Sequence, residues 1–454
     1  MIPSSSPALC PAPILCLLSI MLIPMAAAGL ALIHQGLGRS RSAAHSMLAT
    51  LCALAISAIF FVLIGASWAG FAGGAAHAFT AGARWDWLGA APSISGTHFE
   101  GIGEVTAAGL NRLLILCLET FAAGLAAIIP LSAGTDRWRL GPICLASALL
   151  AAIIFPLFAH WVWGGGWLAQ LGANFGLPAF FDAGGAGVVQ VVGGLMALSV
   201  AWITGPRRGK YSDDGIAAAI PGHNIVHVLF GCLLALVGWI GLDSASTLLF
   251  RPAGPDQIPA QIYSQIAGTI LNAMLSASGG CLAAVIITRA RYRKPDASIS
   301  ANGWIAGLVA GSAACAFVSP VAAVDTGALA GVLVTYMVEV FELHLLVDDP
   351  GGAVSVHAGA GILGLAAAGL FGHFPDAVAP VVPVKGAHIL SQLVGIAALL
   401  GFMLPLIHGA NLLLNRFMPY RIDGDGDWQG MDIRELGAGA YPEFVVHADE
   451  FIPR

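Results

Sequence analysis

The sequence predicts an all-α membrane protein of eleven transmembrane helices, an inverted five-plus-five repeat with one extra C-terminal helix. Three observations predict it. Of 454 residues, 57% are hydrophobic and only 10% are Asp, Glu, Lys or Arg, whereas a soluble domain carries about 25% charged residues; there are too few charges to coat a soluble surface of this length. Apolar runs long enough to cross a bilayer, about 20 residues each, recur along the chain. A short polar motif recurs in two of these runs, five spans apart.

The runs fall at 13–35, 46–73, 105–132, 140–160, 184–204, 223–243, 262–288, 301–318, 325–346, 352–371 and 384–414. The first lacks a basic leading segment and continues into a full span, so it reads as a membrane helix rather than a cleaved signal. The connectors are short and hold most of the Pro, Asp, Arg and Lys; the longest, 74–104, is rich in Gly and Ala. The chain divides into a membrane domain, 13–415, and a tail, 416–454, with the composition of a soluble segment. Abundant glycine, 58 residues, suits closely packed membrane helices.

Orientation follows from the basic residues, which concentrate in cytoplasmic loops. With the N-terminus outside, fifteen of the 19 Lys and Arg lie inside, among them Arg39, Arg41, Arg137, Arg139, Arg207, Arg208 and Lys210. Only Arg84, Arg112, Arg251 and Lys385 lie outside. The N-terminus is therefore expected outside and the C-terminus inside a cell (inner or plasma) membrane.

The fifth span begins Asp182-Ala-Gly-Gly-Ala-Gly-Val-Val-Gln190 and the tenth Asp349-Pro-Gly-Gly-Ala-Val-Ser-Val-His357. In each, an acid precedes a polar residue by eight positions, with Gly-Gly between. The acids read as helix N-caps, and Pro350 fits the first helical position. An odd number of spans separates the two motifs, so they enter the membrane from opposite faces. At 1.5 Å per residue each polar residue lies about 12 Å deep, against a half-thickness of about 15 Å. Gln190 and His357 are thus expected to meet near the midplane, where inverted repeats place their sites.

A polar or ionisable side chain at that depth is costly and commonly lines a pathway; the plainer alternative is a helix–helix hydrogen bond. His357 can donate, accept and titrate, whereas Gln190 cannot titrate. At the outer end of span four, His160-Trp161-Val162-Trp163 offers aromatic faces to a small cation, or a simple interfacial belt. Span six closes with Gly238-Trp239-Ile240-Gly241-Leu242-Asp243-Ser244-Ala245-Ser246, whose hydroxyls could accept from a cation or cap the helix. His34, His223 and His408 read better as buried, hydrogen-bonded residues.

Other function classes are disfavoured. No polybasic tract accompanies the net charge of −6, so nucleic acid is not an expected partner. Cys10, Cys16, Cys52, Cys117, Cys144, Cys232, Cys281 and Cys315 sit in apolar runs without CxxC spacing and read as small buried hydrophobes, not as a metal site. No catalytic triad or phosphate-binding loop is evident, and neither an enzyme nor a cofactor is expected.

These motifs give the chain its resemblance. It resembles the ammonium transporter family (Amt/Mep/Rh) from end to end. The resemblance is carried by Ile23-Pro24 through Gly36 with Ser46-Met47-Leu48, Trp163-Gly164-Gly165-Gly166, Asp182-Ala183-Gly184-Gly185 and Pro221-Gly222-His223-Asn224. Gly238-Trp239-Ile240-Gly241, Asn302-Gly303 with Ala306-Gly307-Leu308-Val309, and Asp348-Asp349-Pro350 continue it, and Gly430-Met431-Asp432-Ile433 with Ala440-Tyr441 extends it into the tail.

The resemblance implies a homotrimer with one narrow apolar pore per subunit. It implies ammonium recruitment at Trp163 and Ser246, a gate at Phe121 and Leu242, and a mid-pore relay at Gln190 and His357. It also implies a cytoplasmic tail that packs beneath the trimer and couples to a PII-type signalling protein. The chain departs from the family at the centre. Gln190 stands where the first of two pore histidines is usual, Leu242 where a gate phenylalanine is usual, and His34 where a tyrosine is common. Phe121 matches the other gate only to within one position. Three functions follow: an ammonium transporter with an altered relay, a non-transporting ammonium sensor or regulatory subunit, and a channel for another small neutral solute.

Overall fold

The computed structural model describes residue 10 and residues 12–69, 87–88, 106–250, 259–374 and 386–441. Arg84, Arg251, Lys385, nearly all of the 74–104 connector and the tail beyond 441 lie outside the described residues. The long helices, numbered in chain order, are α1 (Pro13–Leu37), α2 (Ser40–Trp68), α3 (Ala107–Gly134), α4 (Leu140–Val162), α5 (Ala186–Thr204) and α6 (Ile225–Leu249). They continue with α7 (Pro259–Tyr292), α8 (Ala297–Ser312), α9 (Pro320–His344), α10 (Val354–Phe371) and α11 (Ala387–Phe417). Among the described residues, ten of these are long and apolar enough to cross a membrane. The other, α8, has 16 residues.

The shortness of α8 corrects the expected span 301–318. Asp296 caps its start by accepting from the Ile299 amide at 2.9 Å. Its end opens at Ser312 because the carbonyls there face another chain segment: Ser312 accepts from the Gly184 amide and Ala313 from the Ala183 amide, both at 2.9 Å. These neighbours satisfy carbonyls that a helix end leaves unpaired.

The inverted repeat is visible in the packing. A Cβ on Gly29 of α1 would lie 2.5 Å from the Gly231 carbonyl oxygen of α6, and one on Gly231 would lie 2.5 Å from that of Gly29. Gly36 presses on Val228 as Gly238 presses on Ala26. Such reciprocity is what a two-fold between antiparallel helices produces, and it needs glycine because the backbones touch. The same holds between α5 and α10. Gly194, four residues after Gln190, lies against Ala358, and Gly361, four residues after His357, lies against Val191. The two polar residues are therefore equivalent members of one crossing.

The loops α1–α2, α3–α4, α5–α6 and α9–α10 gather with the tail at one end of the bundle. There Arg207 forks onto Asp348 (Nε to Oδ2 2.9 Å, Nη2 to Oδ1 3.0 Å), and Arg137 donates to the Asp348 carbonyl at 2.7 Å and the Gly205 carbonyl at 2.6 Å. Burial works against the Asp348 charge, but Arg137 and Arg207 hold its carboxyl down at about 2. The tail joins through Asp427, whose carboxylate accepts from the Arg208 amide at 3.3 Å and whose carbonyl accepts from Arg41 at 3.1 Å, and through two acids at helix starts. Asp432 accepts from the amides of Ala44 (3.1 Å) and His45 (2.7 Å), where the α-helical part of α2 begins at Ala43 after a 3-10 turn, and Glu435 from that of Leu140, first residue of α4, at 2.7 Å. Both use amides a helix N-terminus leaves free. Tyr441 Oη bonds Gln35 Nε2 (3.1 Å) and His223 Nε2 (3.0 Å).

Candidate functional site

Each of the two motif helices opens with a turn of π-helix, Ala186–Val191 and Val354–Gly359, so the Gln190 amide bonds the Gly185 carbonyl five residues back at 3.0 Å. Such turns widen the helix and recur at functional sites. The acids act as expected in chemistry but not in register. Asp182 stands three residues before the helix N-cap, Gly185, and its carboxylate accepts the amides of Gly185, Ala186, Gly187 and Val188 at 2.7–3.0 Å. Asp349 accepts the Val354 amide at 2.7 Å. Pro350 is not the first helical residue: α10 begins four positions later, after a turn that needs a positive φ (71°) at Gly352.

Those turns bring the two polar residues together. Gln190 and His357 are fully enclosed, and His357 Nδ1 lies 2.8 Å from Gln190 Oε1. An amide oxygen can only accept, so Nδ1 carries the hydrogen and Nε2 is the basic nitrogen. The Gln190 amide nitrogen has no protein partner. On the tail side of His357 a cavity of about 10 Å³ is lined by His34, Ser132, Asn302 and His357 among apolar groups. Asn302 also lines a vestibule of about 450 Å³ at the tail end, bordered by Arg207, Lys210, Glu342, Asp348 and Asp349.

Towards the opposite end, Trp163 and Ser246 are both buried. Trp163 Nε1 donates to the Asp182 carbonyl at 2.8 Å, and its ring stacks on Phe250 at 4.5 Å between centroids and 16° between planes. The Ser246 hydroxyl has no protein partner. Phe250 escaped the sequence reading, although it follows Ser246 by four residues and so shares its helix face. The two expected gate residues differ in burial. Leu242 is fully buried, but Phe121 is 38% exposed, on a surface stripe of α3 with Leu110 and Leu113. The neighbouring Ala122 is buried.

His223 and His408 are hydrogen-bonded as expected, to the Gly38 carbonyl and to Ser199, each at 3.1 Å. His34 is not: its Nδ1 is buried without a partner.

The architecture is that of a polytopic membrane protein with an inverted repeat and a polar pair buried at the crossing of the repeats. Residues 14–441 match the model of the Ammonium Transporter Family, and the chain belongs to that family. It is 32% identical over 446 residues to ammonium transporter Amt2 of Archaeoglobus fulgidus, covering 93% of this chain and 86% of the relative. It is 28% identical to the ammonium transporter of Bacillus subtilis, covering 93% and 96%. Among solved structures it superposes on a sensor Amt protein (TM-score 0.79, 24% identity, 93% of this chain and 97% of the other). It also superposes on Mep2 of Candida albicans (TM-score 0.75, 21% identity, 97% and 92%). The family is one of transporters, not enzymes, and the chain is a multi-pass membrane protein.

Proposed function

We propose that this chain carries ammonium across a cell membrane as ammonia plus a proton, with the chemistry divided between Gln190 and His357. The observation that carries the reading is the buried Gln190–His357 hydrogen bond with an unpartnered amide donor beside it. An N–H donor recognises a lone pair. Ammonia has one and ammonium has none, so Gln190 favours the deprotonated species at mid-pathway. The bond also sets the His357 tautomer, so Nε2 is the nitrogen available to take the proton. Moving a bare cation through an apolar pore costs several kcal/mol or more; shedding the proton removes that cost.

Trp163 and Ser246 recruit the cation at the outer end by a ring face and a hydroxyl oxygen. Phe250 covers Trp163, so recruitment requires that ring to swing aside, and Leu242 forms the constriction below. Asp182 and Asp349 cap the two pore helices. The basic loops and the tail face the cytoplasm, α8 completes an eleven-span topology, and three copies associate as in a homotrimer. The acid-rich tail, held against three loops, is a surface through which a PII-type protein could act.

A non-transporting ammonium sensor is the second reading, favoured by the covered Trp163 and the loss of a titratable group at position 190. Expression in a transport-deficient host on low ammonium separates the two. Restored growth supports transport; ammonium binding by the purified protein without restored growth or flux supports the sensor.

A further inference from the structure

We propose that His34 is the second proton-carrying group of the pathway, paired with His357 through the cavity between them. The inference rests on the transport reading above and names the group that replaces a histidine at position 190. The cavity of about 10 Å³ is the room of roughly one water. A water there meets polar partners on several sides, as a buried water needs: the rings of His34 and His357, the Ser132 hydroxyl and the Asn302 amide. His34 Nδ1 is buried with no protein partner, a state that costs free energy unless something else occupies the position. Gln190 engages Nδ1 of His357, which leaves Nε2 for the proton. His34 and His357 are the titratable side chains lining this cavity; its other lining groups are apolar, hydroxyl, amide or backbone.

The path continues. Asn302 borders both this cavity and the tail-end vestibule, where Asp296, Glu342, Asp348 and Asp349 stand. The relay is balanced at each step. Ammonium breaks one N–H bond, its proton goes to His357 Nε2, and ammonia moves on. The proton passes through the cavity to His34 and then to the vestibule, where ammonia takes it up again as ammonium. His34 and His357 lie on α1 and α10, so the pair is displaced towards the tail end from the place a histidine at position 190 would hold.

The test uses the full-length protein in liposomes, with ammonium pulses read as current and as luminal pH. The wild type gives current, with luminal alkalinisation no faster than in protein-free liposomes, where ammonia crosses the lipid itself. His34→Gln, which keeps hydrogen bonding but cannot titrate, lowers the current roughly a hundredfold, and ammonia passing alone through the pore makes the lumen alkaline faster than in protein-free liposomes. Adding Gln190→His to His34→Gln restores the current, which separates loss of a proton carrier from loss of fold. Unchanged current in His34→Gln, or lost current that Gln190→His does not restore, overturns the role of His34 alone. Absence of current in the wild type overturns the transport reading and the relay with it.

Discussion

The middle of the bundle and its tail end handle polar groups in opposite ways. At the tail end Asp348 meets Arg207 twice and Arg137 once, and Asp432 and Glu435 sit on helix-start amides. In the middle the polar groups are few, and Gln190 Nε2, His34 Nδ1 and Ser246 Oγ lack protein partners. A satisfied buried group stabilises and fixes geometry. An unsatisfied one is costly and persists where a ligand or a proton uses it. The contrast is one of degree, since Asp349 Oδ1, Asp427 Oδ1 and Trp138 Nε1 at the tail end also lack hydrogen-bond partners; it lies in the charged pairs that surround the tail-end groups and, among the described residues, are missing around those of the middle.

The comparison can be broken most forcefully at Asp348. Asp348→Ala leaves Arg137 a buried cation without its carboxylate and Arg207 with only Asp136 at 3.4 Å, a loss of about 3–5 kcal/mol; thermal unfolding in detergent should show it, and an unchanged melting temperature would deny the network its structural role. Acid acts on the same group. With its carboxyl held near 2 rather than the usual 3.8, Asp348 contributes on the order of 2 kcal/mol. That contribution is complete above pH 4 and is lost as pH falls towards 2, so stability should drop in that interval and Asp348→Ala should flatten the drop.

Gln190→His sharpens the other side. It adds a titratable group to a pathway that already has two, so flux should rise by no more than about tenfold, or about 1.4 kcal/mol; no change would place position 190 outside the pathway. The smallest effect belongs to a tail cap. Asp432→Ala removes acceptors from the first α-helical turn of α2 and should cost about 1 kcal/mol while leaving flux through the pore nearly unchanged. Loss of flux without loss of stability would instead make the tail part of the transport machinery.

Much of this was legible in the residues. Apolar runs located all eleven helices, with the bounds of α8 displaced, and the repeat of an acid eight positions before a polar residue foretold the Gln190–His357 meeting, because helix rise is fixed and the midplane depth follows. What escaped was set by tertiary contact. The end of α8 depends on amides from residues 183 and 184, which no local pattern reveals. Pro350 missed the first helical position because Gly352 turns the chain first. The exposure of Phe121 (38%) could not be foreseen from a match good only to one position, because one position of register moves a side chain about 100° around a helix. His34 was misread as hydrogen-bonded because a sequence shows residue types, not the cavity that a distant histidine shares.

The most direct test of the central claim is ammonium-induced current from the protein in liposomes, wild type against His357→Ala. The account predicts a current that the variant loses or reduces roughly a hundredfold while its assembly and melting temperature stay near those of the wild type. Equal currents from the two proteins would contradict it.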